Sequence, residues 1–294
     1  MRTTGTSLSN TNSYFASLLV RFYRHHTLTA LDSAFDVGVR LMILKKAVIL
    51  TAIPCEYSAV RKRLSDCVEA VHPSGSVYEV GQFDSWSILI CEIGAGNERA
   101  AAEAERAIEY FKPHVVLFVG VAGGIKDVAL GDVVCATKIY GYESGKDKVE
   151  FLPRPDVQSS EYPLISRARA ESRKVDWHDG RHSKSNGKIG QPSVHVAPIA
   201  AGSKVVASKR SATAKFLRAN YSDAVAVEME GIGFLTATSM STACLAMVVR
   251  GISDLIDKKS SSDGEGWQEI AADHASAFAF QMLSRIETEI LLHP

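Results

Sequence analysis

Short apolar runs of strand length recur along the chain, separated by segments of helical character. Ala47–Ala52 reads as a buried strand and Tyr57–Val68 as the helix after it. Ser87–Ile93 is a second strand. Glu98–Phe111, rich in Ala and Glu, is a helix closed by Lys112-Pro113. Val115–Val119, Val133–Lys138 and Val194–Ile199 read as strands, and Ser211–Arg218 as a helix. Ala224–Val227 and Ala246–Val249 are strands with a helix over 230–241 between them, and Glu269–Ile290 is a long last helix. Residues 141–192 are polar, carry scattered Gly and Pro, and give no assignment. Strands alternating with helices predict an α/β fold whose largely parallel sheet is covered on both faces.

The bulk numbers exclude several classes. Hydrophobic residues make up 46% and charged residues 22% of the 294, the balance of a globular protein. With 33 basic and 33 acidic residues no net field draws the chain to nucleic acid or membrane. No uncharged apolar stretch reaches the roughly eighteen residues of a membrane-spanning helix. Cys55, Cys67, Cys91, Cys135 and Cys244 are scattered, without a CxxC pair or Cys/His cluster. That predicts neither a metal site nor a disulfide framework, and a reducing, cytoplasmic compartment. The first residues differ: 1–13 are rich in Ser, Thr and Asn, and no acid precedes Asp32. That composition is compatible with a transit peptide. Met42-Ile43-Leu44-Lys45-Lys46, leading into the first strand, reads as a natural start, so 1–41 is expected to be an extension outside a domain of 42–294.

Chemistry gathers where apolar runs end. Ala224–Val227 leads into Glu228-Met229-Glu230-Gly231, and Ala246–Val249 into Arg250-Gly251-Ile252-Ser253-Asp254. In open α/β sheets ligands bind at the carboxyl ends of strands, so ionisable groups there are candidates for function. Two glycine-rich segments also follow strands. Gly94-Ala95-Gly96-Asn97 precedes a helix, and Gly94 is a candidate for presenting backbone N–H to a phosphate or sugar oxygen. Gly120-Val121-Ala122-Gly123-Gly124 lacks the GxGxxG spacing and is followed by another strand, which excludes a dinucleotide fingerprint. It reads as a turn where a ligand approaches the backbone, with Gly123 a contact.

Together with Thr51-Ala52-Ile53-Pro54-Cys55-Glu56, these segments resemble, in order, the motifs of the purine nucleoside phosphorylase/uridine phosphorylase superfamily. Within it the chain is most similar to the 5′-methylthioadenosine/S-adenosylhomocysteine nucleosidases. The resemblance runs from about residue 46 to the C-terminus. It implies a three-layer α/β/α fold with a mixed, largely parallel central sheet. It implies cleavage of the N-glycosidic bond of a purine nucleoside, without cofactor or metal, in a homodimer or larger homo-oligomer. By resemblance Asp254 donates a proton or hydrogen bond to purine N7, and Glu56 orients or deprotonates the attacking water. Glu230 binds ribose hydroxyls, Met229 packs on the sugar, and Arg250 stands near the water and the carboxylates. Ser253 supports the Asp254 loop, and Val206 falls where backbone meets the base. Glu228 reads as structural, a carboxylate near a helix start.

The chain departs from the family pattern in two places. Val121 stands where the family's hydrolases often carry Ser, and Ser260–Gly266 is polar where apolar residues often meet the 5′-alkylthio group, with Trp267 the nearest aromatic. The 140–190 segment carries Arg167, Arg169, Arg173, Lys174, Arg181, Lys184 and Lys188, read either as a solvated basic loop or as a receiver for a phosphorylated 5′ end. Phosphorolysis, with Arg99 as a phosphate contact, nucleotide cleavage of the kind found in bacterial defence effectors, and a non-catalytic nucleoside sensor are the competing readings.

Overall fold

In the computed structural model, the residues described are 45–174, 177, 191–241, 244–256 and 266–287. The expected boundary at residue 41, the basic residues Arg181, Lys184 and Lys188, and all of Ser260–Gly266 but its last residue lie outside them.

The alternation of side chains along the central strands explains why they read as unbroken apolar runs. Strands β1 (Lys45–Thr51), β4 (Trp86–Glu92), β5 (Val115–Gly124) and β12 (Leu245–Leu255) lie inside the sheet. One face of these strands, with Val48, Leu50, Val116, Phe118, Ala246 and Val248, packs on helices α2 (Asn97–Phe111) and α5 (Gly231–Ser239). The other, with Ala47, Ile49, Val115, Leu117, Met247 and Val249, packs against α1 (Pro54–Arg61), α3 (Tyr162–Glu171) and α6 (Trp267–Ser284). Helices thus cover both faces of a mixed sheet, the three-layer architecture expected.

Helix α4 (Ala212–Asn220) has its own small core, and Ser211 caps it by accepting from Ala214 N at 3.1 Å. The remaining strands are β2 (Ser65–Val71), β3 (Val77–Phe83), β6 (Val133–Gly141), β7 (Gly145–Lys146), β8 (Leu152–Pro153), β9 (Asp156–Ser159), β10 (Val194–Ala201) and β11 (Ala226–Glu228). The sheet order is β11-β10-β6-β12-β5-β1-β4-β3-β2, with β9 on β6. A further antiparallel pairing of β11 with β5 closes β5, β12, β6, β10 and β11 on themselves.

Two expectations need correction, and one unassigned segment gains elements. The helix over Tyr57–Val68 stops at Arg61, and Ser65–Val71 is an antiparallel edge strand on β3. Apolar Tyr57, Val60, Leu64 and Val68 have helical spacing, but Asp66 adopts φ +52° and Val68 is exposed, so sheet pairing overrides the pattern. Residues 141–192, which gave no assignment from the sequence, hold β7, β8, β9 and α3. Gly120–Gly124 is not a turn: β5 runs through it, with Gly120 beside Arg250 and Gly123 beside Asp254. Gly120 and Gly123 are needed because charged side chains lie against this strand. A Cβ on Gly120 would collide with the Arg250 guanidinium and come within 2.5 Å of Glu56 Oε1.

Candidate active site

Glu56 is placed by the start of α1. Pro54 fits the first turn because it has no N–H to leave unsatisfied. Glu56 Oε2 reaches back to accept from Ala52 N at 2.7 Å and Ile53 N at 3.2 Å, the carboxylate half of a capping box. Its Oε1 accepts from Val121 N on β5 at 2.8 Å. The side chain is buried. Burial pushes its pKa up to about 7, against the opposing pull of Arg250 and these backbone donors.

Arg250 lies inside β12, fully buried, its guanidinium carbon 4.6 Å from the centre of the Phe118 ring. Nη2 donates to Glu228 Oε2 in a short contact and to Glu230 Oε2 at 2.9 Å, and Nη1 is 4.0 Å from Glu56 Oε1. Three carboxylates thus lie within 4.0 Å of one guanidinium. Burial holds the Glu228 carboxyl above the usual range, partly offset by Arg250 and reinforced by Glu230. Nε and Nη1 of Arg250 have no hydrogen-bond partner among the described residues.

The two acids after β11 take different positions. Glu228 is turned inward, accepting from Glu230 N at 3.1 Å and Gly231 N at 2.9 Å as well as from Arg250. Glu230 accepts from Gly96 N at 3.1 Å through Oε1. Asp254 is set by an irregularity in the β12–β5 register between Ile252 and Asp254. The extra residue re-aims the strand, as β-bulges beside sites do. Asp254 then lies against Gly123, where a Cβ would be 3.1 Å from Oδ1, and Ser253 Oγ donates to its Oδ2 at 3.2 Å.

A cleft of about 200 Å³ brings Glu56, Gly123, Val206, Met229, Glu230, Ser253 and Asp254 together, with Glu228 in its wall. Arg250 stands behind them as the buried counter-charge. Gly94 does not line it. Its φ is +77°, the Arg99 guanidinium lies across it, and Ala95 is the residue of that turn which reaches the cleft. Arg99 instead lines a separate cavity of about 530 Å³ with Glu92, Glu98 and Glu103. Trp267 packs near Gly131 rather than lining the cleft. Two polar residues that the motifs did not indicate, Lys204 and Gln268, also line it. The one signal for Lys204 was its place two residues before Val206, and Gln268 carries none beyond its position in the first turn of α6. No group of three or more His, Cys, Asp or Glu suited to a metal ion occurs among the described residues, and none of the described helices is long and apolar enough to cross a membrane.

The chain is similar to known proteins along most of its length. The 5′-methylthioadenosine/S-adenosylhomocysteine nucleosidase of Colwellia psychrerythraea is 26% identical over 264 residues, covering 84% of this chain and 98% of that protein. The nucleosidase of the same name from Haemophilus ducreyi is 26% identical over 254 residues, 80% of this chain and 96% of that one. Among solved structures, the Helicobacter pylori nucleosidase of that name superposes with TM-score 0.68 at 22% identity, covering 83% of this chain and 99% of that one. The futalosine hydrolase of the same organism superposes with TM-score 0.69 at 21% identity over the same shares, so both fix the fold. The family model described as Phosphorylase superfamily matches residues 46–284, and the chain belongs to that superfamily.

Proposed function

We propose that this cleft hydrolyses the N-glycosidic bond of an adenine nucleoside of the 5′-methylthioadenosine/S-adenosylhomocysteine type and releases the free base. The observation that carries the reading is the convergence of Glu56, Glu230 and Asp254 on one cleft around a buried Arg250. Cleaving the bond from C1′ to the base leaves positive charge on the sugar and negative charge on the base. Asp254 donates a hydrogen bond or proton at N7, while the backbone near Val206 meets the base. Glu230 binds the ribose hydroxyls, Met229 packs on the sugar, and the carboxylate charge stabilises the cationic transition state. Glu56, titrating near 7, takes the proton of the water whose oxygen bonds to C1′. Arg250 holds the carboxylates in place, and Ser253 steadies Asp254. The names borne by the Colwellia and Haemophilus relatives support the substrate class.

Phosphorolysis is disfavoured by the charges. Arg250 is already engaged by Glu228 and Glu230, Lys204 pairs with Glu143 at 3.2 Å, and Arg99 lines the other cavity. A phosphate beside Glu56 would meet repulsion. The phosphorylated-5′ reading loses support in the same way. Arg167 and Lys174 bind the buried Glu171, and Arg167 lines a groove beside Leu245, at the opposite end of β12 from Asp254.

One assay panel tests the reading. The protein is incubated with 5′-methylthioadenosine, S-adenosylhomocysteine, adenosine, inosine and ATP, with and without phosphate, and released base is measured. Base release from the first two without phosphate is the expected result. Strict phosphate dependence rejects hydrolysis, release from ATP alone moves the activity to nucleotides, and no release from any of them leaves the sensor reading.

A further inference from the structure

We propose that Asn97 is a positioning residue that ties the base-side loop of the cleft to the ribose-side helix and so leaves Glu230 free to face the ligand. The proposal rests on the functional reading above. A helix leaves its first N–H groups without partners, and the side chain at the N-cap position ordinarily accepts from one of them. Glu230 occupies that position on α5, yet its carboxylate makes no cap hydrogen bond. It is turned instead toward Gly96 N and Arg250.

The missing acceptors come from elsewhere. Glu228 takes the N–H groups of Glu230 and Gly231. Asn97, the first residue of α2, takes Gly233 N through Oδ1 at 3.1 Å. The other end of the same amide donates from Nδ2 to Gly202 O at 3.1 Å. Gly202 opens the segment whose Lys204, Val205 and Val206 line the cleft. Two observations show how closely these parts are fitted. A Cβ on Gly233 would collide with the Asn97 backbone, and one on Gly202 with the Tyr142 ring.

Both partners define the amide orientation: Gly233 N–H requires the oxygen and Gly202 C=O requires the nitrogen. An acceptor at one end and a donor at the other are both needed, so Asp supplies half of the link and Leu supplies neither half. The neighbouring Gly96 N–H adds its hydrogen bond to Glu230. The start of α2 therefore holds three things in register: the catalytic-side carboxylate, the first turn of α5 and the base-side loop.

The test uses the full chain as wild type, Asn97→Asp and Asn97→Leu, with 5′-methylthioadenosine as substrate and free adenine as inhibitor. Asn97→Asp keeps the acceptor for Gly233 and loses the donor for Gly202. KM and the adenine inhibition constant should rise about tenfold, with kcat changed less and Tm nearly unchanged. Asn97→Leu loses both arms, and its kcat should fall by a further factor of about ten as Glu230 loses its frame. A purely structural role would lower Tm and the active fraction without moving KM or adenine inhibition. Wild-type KM and adenine inhibition in Asn97→Asp overturn the proposal even if the leucine variant fails to fold. A wild type that releases no base overturns the functional reading, and the positioning role falls with it.

Discussion

Arg250 Nη1 and Glu56 Oε1 face each other at 4.0 Å in the interior, the guanidinium nitrogen without a hydrogen-bond partner among the described residues. Such orphaned buried donors are rare in native proteins, and an ordered water or a catalytic role ordinarily accounts for one. An oxygen nucleophile placed beside the pair is held by a donor on one side and an acceptor for its proton on the other. The guanidinium is also the counter-charge for Glu228 and Glu230. Replacing Arg250 with Met leaves those carboxylates buried without it, at an expected cost of about 3–5 kcal/mol. Urea denaturation measures this. A loss below about 1 kcal/mol, with base release intact, would show that the carboxylates do not depend on the arginine.

The raised pKa of Glu56 fixes the direction of two pH effects. If the carboxylate accepts the proton of water, kcat/KM should fall as pH drops through about 7. Glu56→Gln should lose turnover and flatten that limb. Stability runs the opposite way. The folded pKa lies above the ordinary 4.5, so the folded state binds the proton more tightly than the unfolded chain. The stabilisation from this group is fully present below about 4.5 and is lost as pH rises through about 7. Denaturation midpoints across that window should decline less with pH in Glu56→Gln than in the wild type. Equal slopes would remove Glu56 as the titrating group.

Asp254 and Gly123 form a second coupled pair. On the proposed mechanism Asp254→Asn keeps shape and loses the proton donor for the base, so kcat should fall about 100-fold or more while Tm stays close to wild type. Gly123→Ala probes the same carboxylate without replacing it. Its methyl would lie 3.1 Å from Asp254 Oδ1, so the carboxylate must shift by tenths of an ångström. A loss in kcat larger than the rise in KM is expected from such misplacement. Full turnover in Asp254→Asn would remove N7 protonation from the mechanism.

Much of this site was legible because it depends on local rules. The apolar run at Ala47 ends in Pro54 and Glu56, and a carboxylate at the third position of a helix is a visible signal. The acids after Val227 and Val249 were legible as ionisable groups that follow apolar strand runs. What pairs with what was not. Arg250 read as lying beyond a strand end, whereas β12 continues to Leu255, and its partners come from β11, the turn after it and α1. Gly120–Gly124 read as a turn because glycine runs favour turns. Only the three-dimensional placement of Arg250 and Asp254 against β5 reveals why Gly120 and Gly123 carry no side chain. Asn97 stood in the Gly94–Asn97 motif, but its linking role carried no signal, since its partners lie 105 and 136 residues away.

Glu228 and Glu230 are two residues apart and should separate cleanly in experiment. Glu228 is a structural acceptor for Arg250 and for the first N–H groups of α5. Glu228→Gln turns an amide N–H₂ toward one of these donors, leaving a buried group unsatisfied. The expected loss is about 1–3 kcal/mol of stability, with kcat/KM reduced only modestly in the folded fraction. Glu230 has one oxygen on Gly96 N and one on Arg250, and borders the cleft. On the proposed mechanism Glu230→Gln removes the charge that stabilises the developing cation on the sugar, so base release should be abolished while the denaturation midpoint moves little. Paired melts and base-release assays on the two variants decide the matter. A Glu228→Gln enzyme that is stable but inactive would exchange the roles, making the inner carboxylate the one that acts on the ribose.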